Sequence, residues 1–128
     1  MILVDTSIWI DHLRKGNDAL FLLLEQDLVL MHPFIIGELA CGSMVNRHEI
    51  LGLLGTLPAA VAAGHDEVLQ FVEAKHLYGV GIGWIDVHLL ASAQLSHAPL
   101  WTSDTRLKRA AESLGIAYSL VGEQGTSR

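Results

Sequence analysis

Short continuous apolar runs alternate along this chain with longer stretches whose apolar residues recur at helical spacing. The first run, Ile2-Leu3-Val4, predicts a short buried strand, and a carboxylate, Asp5, follows it at once. Ser7 to Lys15 predicts a first helix, with Ser7 as its cap and Gly16-Asn17 as its stop. Asp18 then caps a second short helix whose middle, Ala19 to Leu24, is apolar on every side. Such a helix is either deeply buried or meets another chain. Asp27 opens a second strand, Leu28 to Met31, whose unbroken apolar run suits a strand covered on both faces. Pro33 begins a helix that runs from Phe34 through Cys41 and ends at Gly42.

Asn46 to Leu54 predicts a further helix, and Ala59 to Ala63 reads equally as a short strand or an irregular segment. His65-Asp66 caps a helix reaching about Tyr78, with Val68, Leu69, Val72 and Leu77 on its inner side. The cluster Gly79-Val80-Gly81-Ile82-Gly83 lacks the Lys-Ser/Thr of a phosphate loop and predicts a turn that brings the next helix, Trp84 to Leu95, close to the sheet. Pro99 to Asp104 reads as a strand ending in two hydroxyls and an acid, Thr105 to Gly115 as a helix, and Ile116 to Leu120 as a last strand. Gly122 to Arg128 is a polar, frayed tail. Strands alternating with helices predict an α/β fold, a parallel sheet between helical layers.

Composition narrows this picture. At 128 residues and 51% hydrophobic, the chain builds one core and not two, which predicts one domain. No apolar run approaches the roughly 18 residues of a membrane span, and the start lacks the basic flank of a signal peptide, so a cytoplasmic protein with no membrane partner is expected. Cys41 is the only cysteine, which excludes an internal disulfide and a multi-cysteine zinc cage. The histidines at 12, 32, 48, 65, 76, 88 and 97 show no metal-ligand spacing and read as structural or surface residues. A net charge of −6 argues against nucleic-acid binding by a wide basic surface. It is compatible with a nuclease whose clustered carboxylates hold metal ions.

Four acids stand where chemistry is expected. Asp5 and Asp104 follow strands, and in a parallel sheet the carboxyl ends of strands open toward the ligand-binding crevice. Glu38 is the only charge on its helix and sits on an apolar stripe; it needs a cation or an ion-pair partner unless that edge is exposed. Asp86 lies in the first turn of its helix, where spare N–H groups either orient a reactive carboxylate or accept a simple charge complement. His88 points about 200° around the helix from Asp86, which weakens any paired role. Four converging carboxylates require counter-charge, and ligands that are all oxygen point to Mg²⁺ or Mn²⁺ and to in-line displacement at phosphorus.

The stretches ILVDTSIWIDHLR, GELACG, GIGWIDVHLLASAQL and LWTSDTRLKRAAESLGI together resemble the PIN-domain ribonucleases, most closely the VapC toxins of toxin–antitoxin pairs, over roughly Met1 to Leu120. The resemblance implies a PIN-like three-layer α/β/α sandwich over residues 1–121, with a central parallel sheet of four to five strands. It implies that Asp5, Glu38, Asp86 and Asp104 form the catalytic Mg²⁺ or Mn²⁺ site of an endoribonuclease cutting structured RNA of the tRNA or rRNA class. It further implies a homodimer silenced by a VapB-type antitoxin. Thr6, Thr102 and Ser103 match hydroxyl positions that orient carboxylates or water. Many relatives carry a further acid where this chain has Leu107, so one tightly held ion is expected. Arg106, Lys108, Arg109 and Arg14, with Lys15, stand near enough in sequence to grip RNA phosphates, or form an ordinary solvated face.

Two other functions compete. One is a PIN-like module that binds RNA or protein without cutting; retention of four mutually repelling acids speaks against it. The other is a phosphatase with an aspartate nucleophile, which needs a second acid where Ser7 stands.

Overall fold

The computed structural model describes residues 1–120. Strand β1 (Ile2–Val4) is central, with β2 (Val29–Leu30) on one side and β3 (Leu100–Trp101) on the other, all parallel. The register pairs Ile2 with Val29, Leu3 with Leu30 and Leu100, and Val4 with Trp101. Successive side chains of a strand point to opposite faces, so the burial of all three β1 residues requires cover on both sides of the sheet. That cover comes from seven helices among the described residues: α1 (Thr6–Lys15), α2 (Asp18–Glu25), α3 (Pro33–Ala40), α4 (Arg47–Leu54), α5 (His65–Ala74), α6 (Trp84–Leu95) and α7 (Thr105–Ser113).

The sheet is smaller than expected: among the described residues it has three strands, not four or five. The segment left open as strand or irregular and the one expected as a last strand touch its edges by single parallel bridges, Met31 to Ala59 on one side and Leu100 to Ala117 on the other. At each edge two backbone hydrogen bonds form, Met31 N to Pro58 O and Ala60 N to Met31 O, and Leu100 N to Ile116 O and Tyr118 N to Leu100 O. The strands beside them are only two residues long, which leaves no ladder for Ala59–Ala63 or Ile116–Leu120 to continue. The expected tail from Gly122 lies outside the described residues.

Helix boundaries differ mainly at the caps. The acceptor at the start of α2 is the side chain of Asn17, which takes the Leu20 N–H at 3.0 Å, rather than Asp18. Helix α5 stops at Ala74, short of Tyr78, and His76 takes a left-handed φ of 54° that turns the chain. Helix α6 is as expected, and its run from Val87 to Ala93 is buried throughout, which makes it the central helix. Helix α2 resolves into two faces: Leu20 and Leu23 are buried while Phe21 and Leu22 are 53% and 58% exposed. No helix among the described residues is long and apolar enough to cross a membrane.

Strand order β2-β1-β3 matters for function. The chain leaves β1 toward one edge through α1 and α2, then returns to the other edge through α3 to α6. Such a reversal opens a crevice outside the carboxyl ends of the strands. Asp5 leaves β1 and Thr102-Ser103-Asp104 leave β3 at that crevice.

Candidate active site

Asp5 forms the floor of the crevice. Its backbone N–H extends the ladder by donating to Trp101 O at 2.9 Å, and only 6% of the residue is exposed. Its Oδ2 accepts the Thr102 hydroxyl at 2.7 Å and the Ser7 hydroxyl at 2.9 Å. The Ser7 oxygen accepts the Ser103 N–H at 3.1 Å, and the Thr102 oxygen accepts the Asp104 N–H at 3.0 Å. A buried carboxylate without an ion-pair partner needs such donors.

The hydroxyls are distributed differently from expectation. Ser7 does not cap α1; it serves Asp5, a role that sequence reasoning missed because Ser near a helix start is ordinarily a cap. Thr6 donates to Glu38 Oε1 at 2.7 Å and so steadies the acid of α3, not its own neighbour Asp5. Thr102 orients Asp5 as expected, while Ser103 contributes its backbone N–H and no side-chain bond to a described residue. Glu38 is exposed and not set in an apolar interior: α3 presents it at the rim of a groove of ≈ 620 Å³ also lined by Ile10, Arg14, Met44 and Val45. Of the flanks that suggested burial, Phe34, Ile35, Cys41 and Gly42, only Ile35 is buried; Cys41 and Gly42 are exposed like Glu38 itself.

Helix termini hold the other two acids. Asp86 is half-buried, and its Oδ2 takes the Gly83 N–H at 3.0 Å at the start of α6. Asp104 is the N-cap of α7, its Oδ1 taking the N–H groups of Arg106 at 3.0 Å and Leu107 at 3.1 Å. Asp5 itself occupies the N-cap position of α1. Three helix amino termini, each with a partial positive charge, thus stand behind three carboxylates that would otherwise repel one another. Leu107 is fully buried, so the position of the absent fifth acid belongs to the core.

The electrostatics tie the four acids together. Asp86 is raised above the usual aspartate range by its burial, an effect partly offset by the Gly83 N–H, and raised further by the charges of Asp5, Asp104 and Glu38. None of the four forms an ion pair with a described residue. Each has one carboxylate oxygen fixed by a protein donor and the other without a hydrogen bond to a described residue. Four such free oxygens suit a hard divalent cation, and in that respect the residues fit Mg²⁺ or Mn²⁺. Among the described residues no three acids, histidines or cysteines stand close enough to form a finished cage, so the carboxylates share a field without yet converging.

The histidines stay out of this site. His88 packs edge-on against Trp84 and Phe34, each with ring centroids 4.7 Å apart, and His32 accepts the Phe34 N–H at its Nδ1. Both are buried, and burial holds both below the usual histidine range. Of the basic residues, Arg14 lines the groove beside Glu38 and a second hollow beside Ser7 and Ser103. Arg106 lies against the loop at Gly81, Arg109 is exposed on α7, and Lys108 is half-buried there.

A family model described as the PIN domain matches residues 2–113. Two proteins named Ribonuclease VapC32, from Mycobacterium tuberculosis strains CDC 1551 / Oshkosh and ATCC 25618 / H37Rv, are each 47% identical over 120 residues, which is 93% of this chain and 97% of theirs. No solved structure matches the chain at a significant level.

Proposed function

The chain belongs to the PIN-domain family, and from that premise we propose that it is a VapC-type toxin: a Mg²⁺- or Mn²⁺-dependent endoribonuclease cutting RNA of the tRNA or rRNA class. What supports this reading is that four acids lack an ion-pair partner among the described residues and each has one oxygen held by a protein donor, two of them after the strands at which the sheet order reverses.

Asp5, Asp86, Asp104 and Glu38 would hold the ion, one tightly bound being our expectation since Leu107 supplies no further ligand. A bound ion supplies a water of lowered pKa and neutralises charge on the phosphodiester. The chain's own residues do the aiming. Ser7 and Thr102 fix the Asp5 carboxylate, Thr6 fixes that of Glu38, and the starts of α6 and α7 fix Asp86 and Asp104. Arg14, at the mouth of both neighbouring hollows, is placed to meet a phosphate; Lys108 and Arg109 follow on α7.

Partners follow from the same family. A VapB-type antitoxin is the expected inhibitor, and a homodimer the expected assembly. The outward pair Phe21 and Leu22, and the groove holding Ile10 and Val45, offer apolar area to such partners.

The direct test is cleavage of cellular RNA by purified protein in Mg²⁺ or Mn²⁺, with ends mapped, beside Asp5→Asn and Asp86→Asn. Both variants are expected to lose cleavage; wild-type rates in either would overturn the four-acid mechanism and favour a non-catalytic binding module.

A further inference from the structure

The glycine loop before α6 is more than a turn. Gly81 takes a left-handed φ of +84°, and the space beside it is filled by Arg106: a β-carbon at Gly81 would stand 2.8 Å from Arg106 Cδ, 3.0 Å from Nη1 and 3.1 Å from Nε. Gly79 shares the left-handed backbone, at +70°, but a β-carbon there meets nothing within 4 Å. The outer part of the Arg106 side chain thus lies where a side chain at Gly81 would stand, and a β-carbon there would push the guanidinium aside.

Both ends of this contact belong to the candidate site. The loop continues to Gly83, whose N–H holds Asp86, and the backbone N–H of Arg106 holds Asp104. Yet the exposed Arg106 makes no side-chain hydrogen bond or ion pair with a described residue, although Asp104 stands two positions before it. A guanidinium lying against Gly81, with its N–H fork unused by the described residues, is available to an external oxyanion.

We propose that Arg106 contacts a phosphate of the bound RNA strand and that Gly81 is a positioning residue whose absent side chain seats that guanidinium. This rests on the ribonuclease reading above, in which the four acids act on a phosphodiester. It adds the residues 79–83 to the substrate-binding surface.

The test compares Gly81→Ala, Gly79→Ala, Arg106→Ala, Arg106→Lys and the Gly81→Ala/Arg106→Ala pair. A labelled single-stranded RNA oligonucleotide of mixed sequence is titrated by anisotropy across a range of KCl, in an Asp5→Asn background of the full chain. Arg106→Ala is expected to weaken binding about tenfold, as for loss of one charge-assisted contact, and to reduce the salt slope by about 0.7. Gly81→Ala reproduces that loss, Gly79→Ala does not, and the double variant is no worse than Arg106→Ala. In the active background the loss falls on KM and not on kcat. Melting temperatures of the two glycine variants fall together, since both force alanine into a left-handed backbone.

Gly81→Ala binding like Gly79→Ala, additivity with Arg106→Ala, or wild-type-like binding by Arg106→Ala overturns the proposal, as does RNA binding that ignores salt. Should Gly81→Ala fail to fold, the Arg106→Ala and Arg106→Lys pair still decides it, Lys being expected to restore charge but only part of the affinity. RNA cleavage persisting in the Asp5→Asn background would instead strike the four-acid reading.

Discussion

Replacing Thr102 by valine tests whether the buried Asp5 depends on its hydroxyl clamp. The substitution keeps the shape of the side chain and removes a single oxygen. That oxygen donates to Asp5 Oδ2 at 2.7 Å and accepts the Asp104 N–H at 3.0 Å. A hydrogen bond to a charged group contributes about 1.5–3 kcal/mol, and the added methyl returns something under about 0.8 kcal/mol because the site is already buried. Ser7 stays on Oδ2, so Asp5 is left half-clamped and not bare. The expected net loss is about 2 kcal/mol, or roughly 6–10 °C in Tm for a domain of this size. Urea unfolding at neutral pH in EDTA measures it, in wild type, Thr102→Val, Asp5→Asn and the double variant. Against the neutral amide of Asp5→Asn the hydroxyl contributes only about 1 kcal/mol, so the cycle should show a coupling near 1 kcal/mol. A loss below about 0.5 kcal/mol, or an equal loss in both backgrounds, would refute the claim that the hydroxyl serves the charge. On the ribonuclease reading, the same variant also loses about 10–100-fold in cation affinity or rate, as removal of an outer partner does.

Two further outcomes concern titration. The folded protein raises Asp86 above its unfolded value, so this group favours folding only while protonated, and that contribution is lost as pH rises through the folded pKa. Ionised Asp86 therefore opposes folding at neutral pH without metal; Asp86→Asn, which keeps an acceptor for the Gly83 N–H, should raise the Tm in EDTA, and a lower Tm would contradict the account. Mn²⁺ at a hundredfold excess over its Kd should stabilise wild type by about 2.7 kcal/mol and Asp86→Asn far less. His32 runs the other way: burial, then the His88 charge, lower its folded pKa, so stability is full above the unfolded value of about 6.5 and falls as pH drops below it. His32→Asn preserves an acceptor for the Phe34 N–H and should flatten the decline of Tm with acid; an unchanged slope would assign that decline elsewhere.

The sequence by itself determined the order of the helices and of the three paired strands and the central helix α6, and it singled out the four acids as candidates. These are local matters: an apolar run buries on both faces, helical spacing builds a face, and a carboxylate directly after a strand or within a first helical turn has few bland uses. Asp86 and Asp104 are held by N–H groups within three residues of them, but what reaches Glu38 and Asp5 from distant segments could only come from tertiary structure. Ser7 and Thr6 are adjacent in the chain, yet one serves Asp5 and the other Glu38, because α1 turns successive side chains about 100° apart and β3 and α3 lie on different sides of it. Thr102 reaches Asp5 across 97 positions only because β3 pairs with β1. The limit of three strands among the described residues, the exposure of Glu38 and the approach of Arg106 to Gly81 are likewise set by which segments meet, and local patterning is blind to contacts that exist only once the sheet order is fixed.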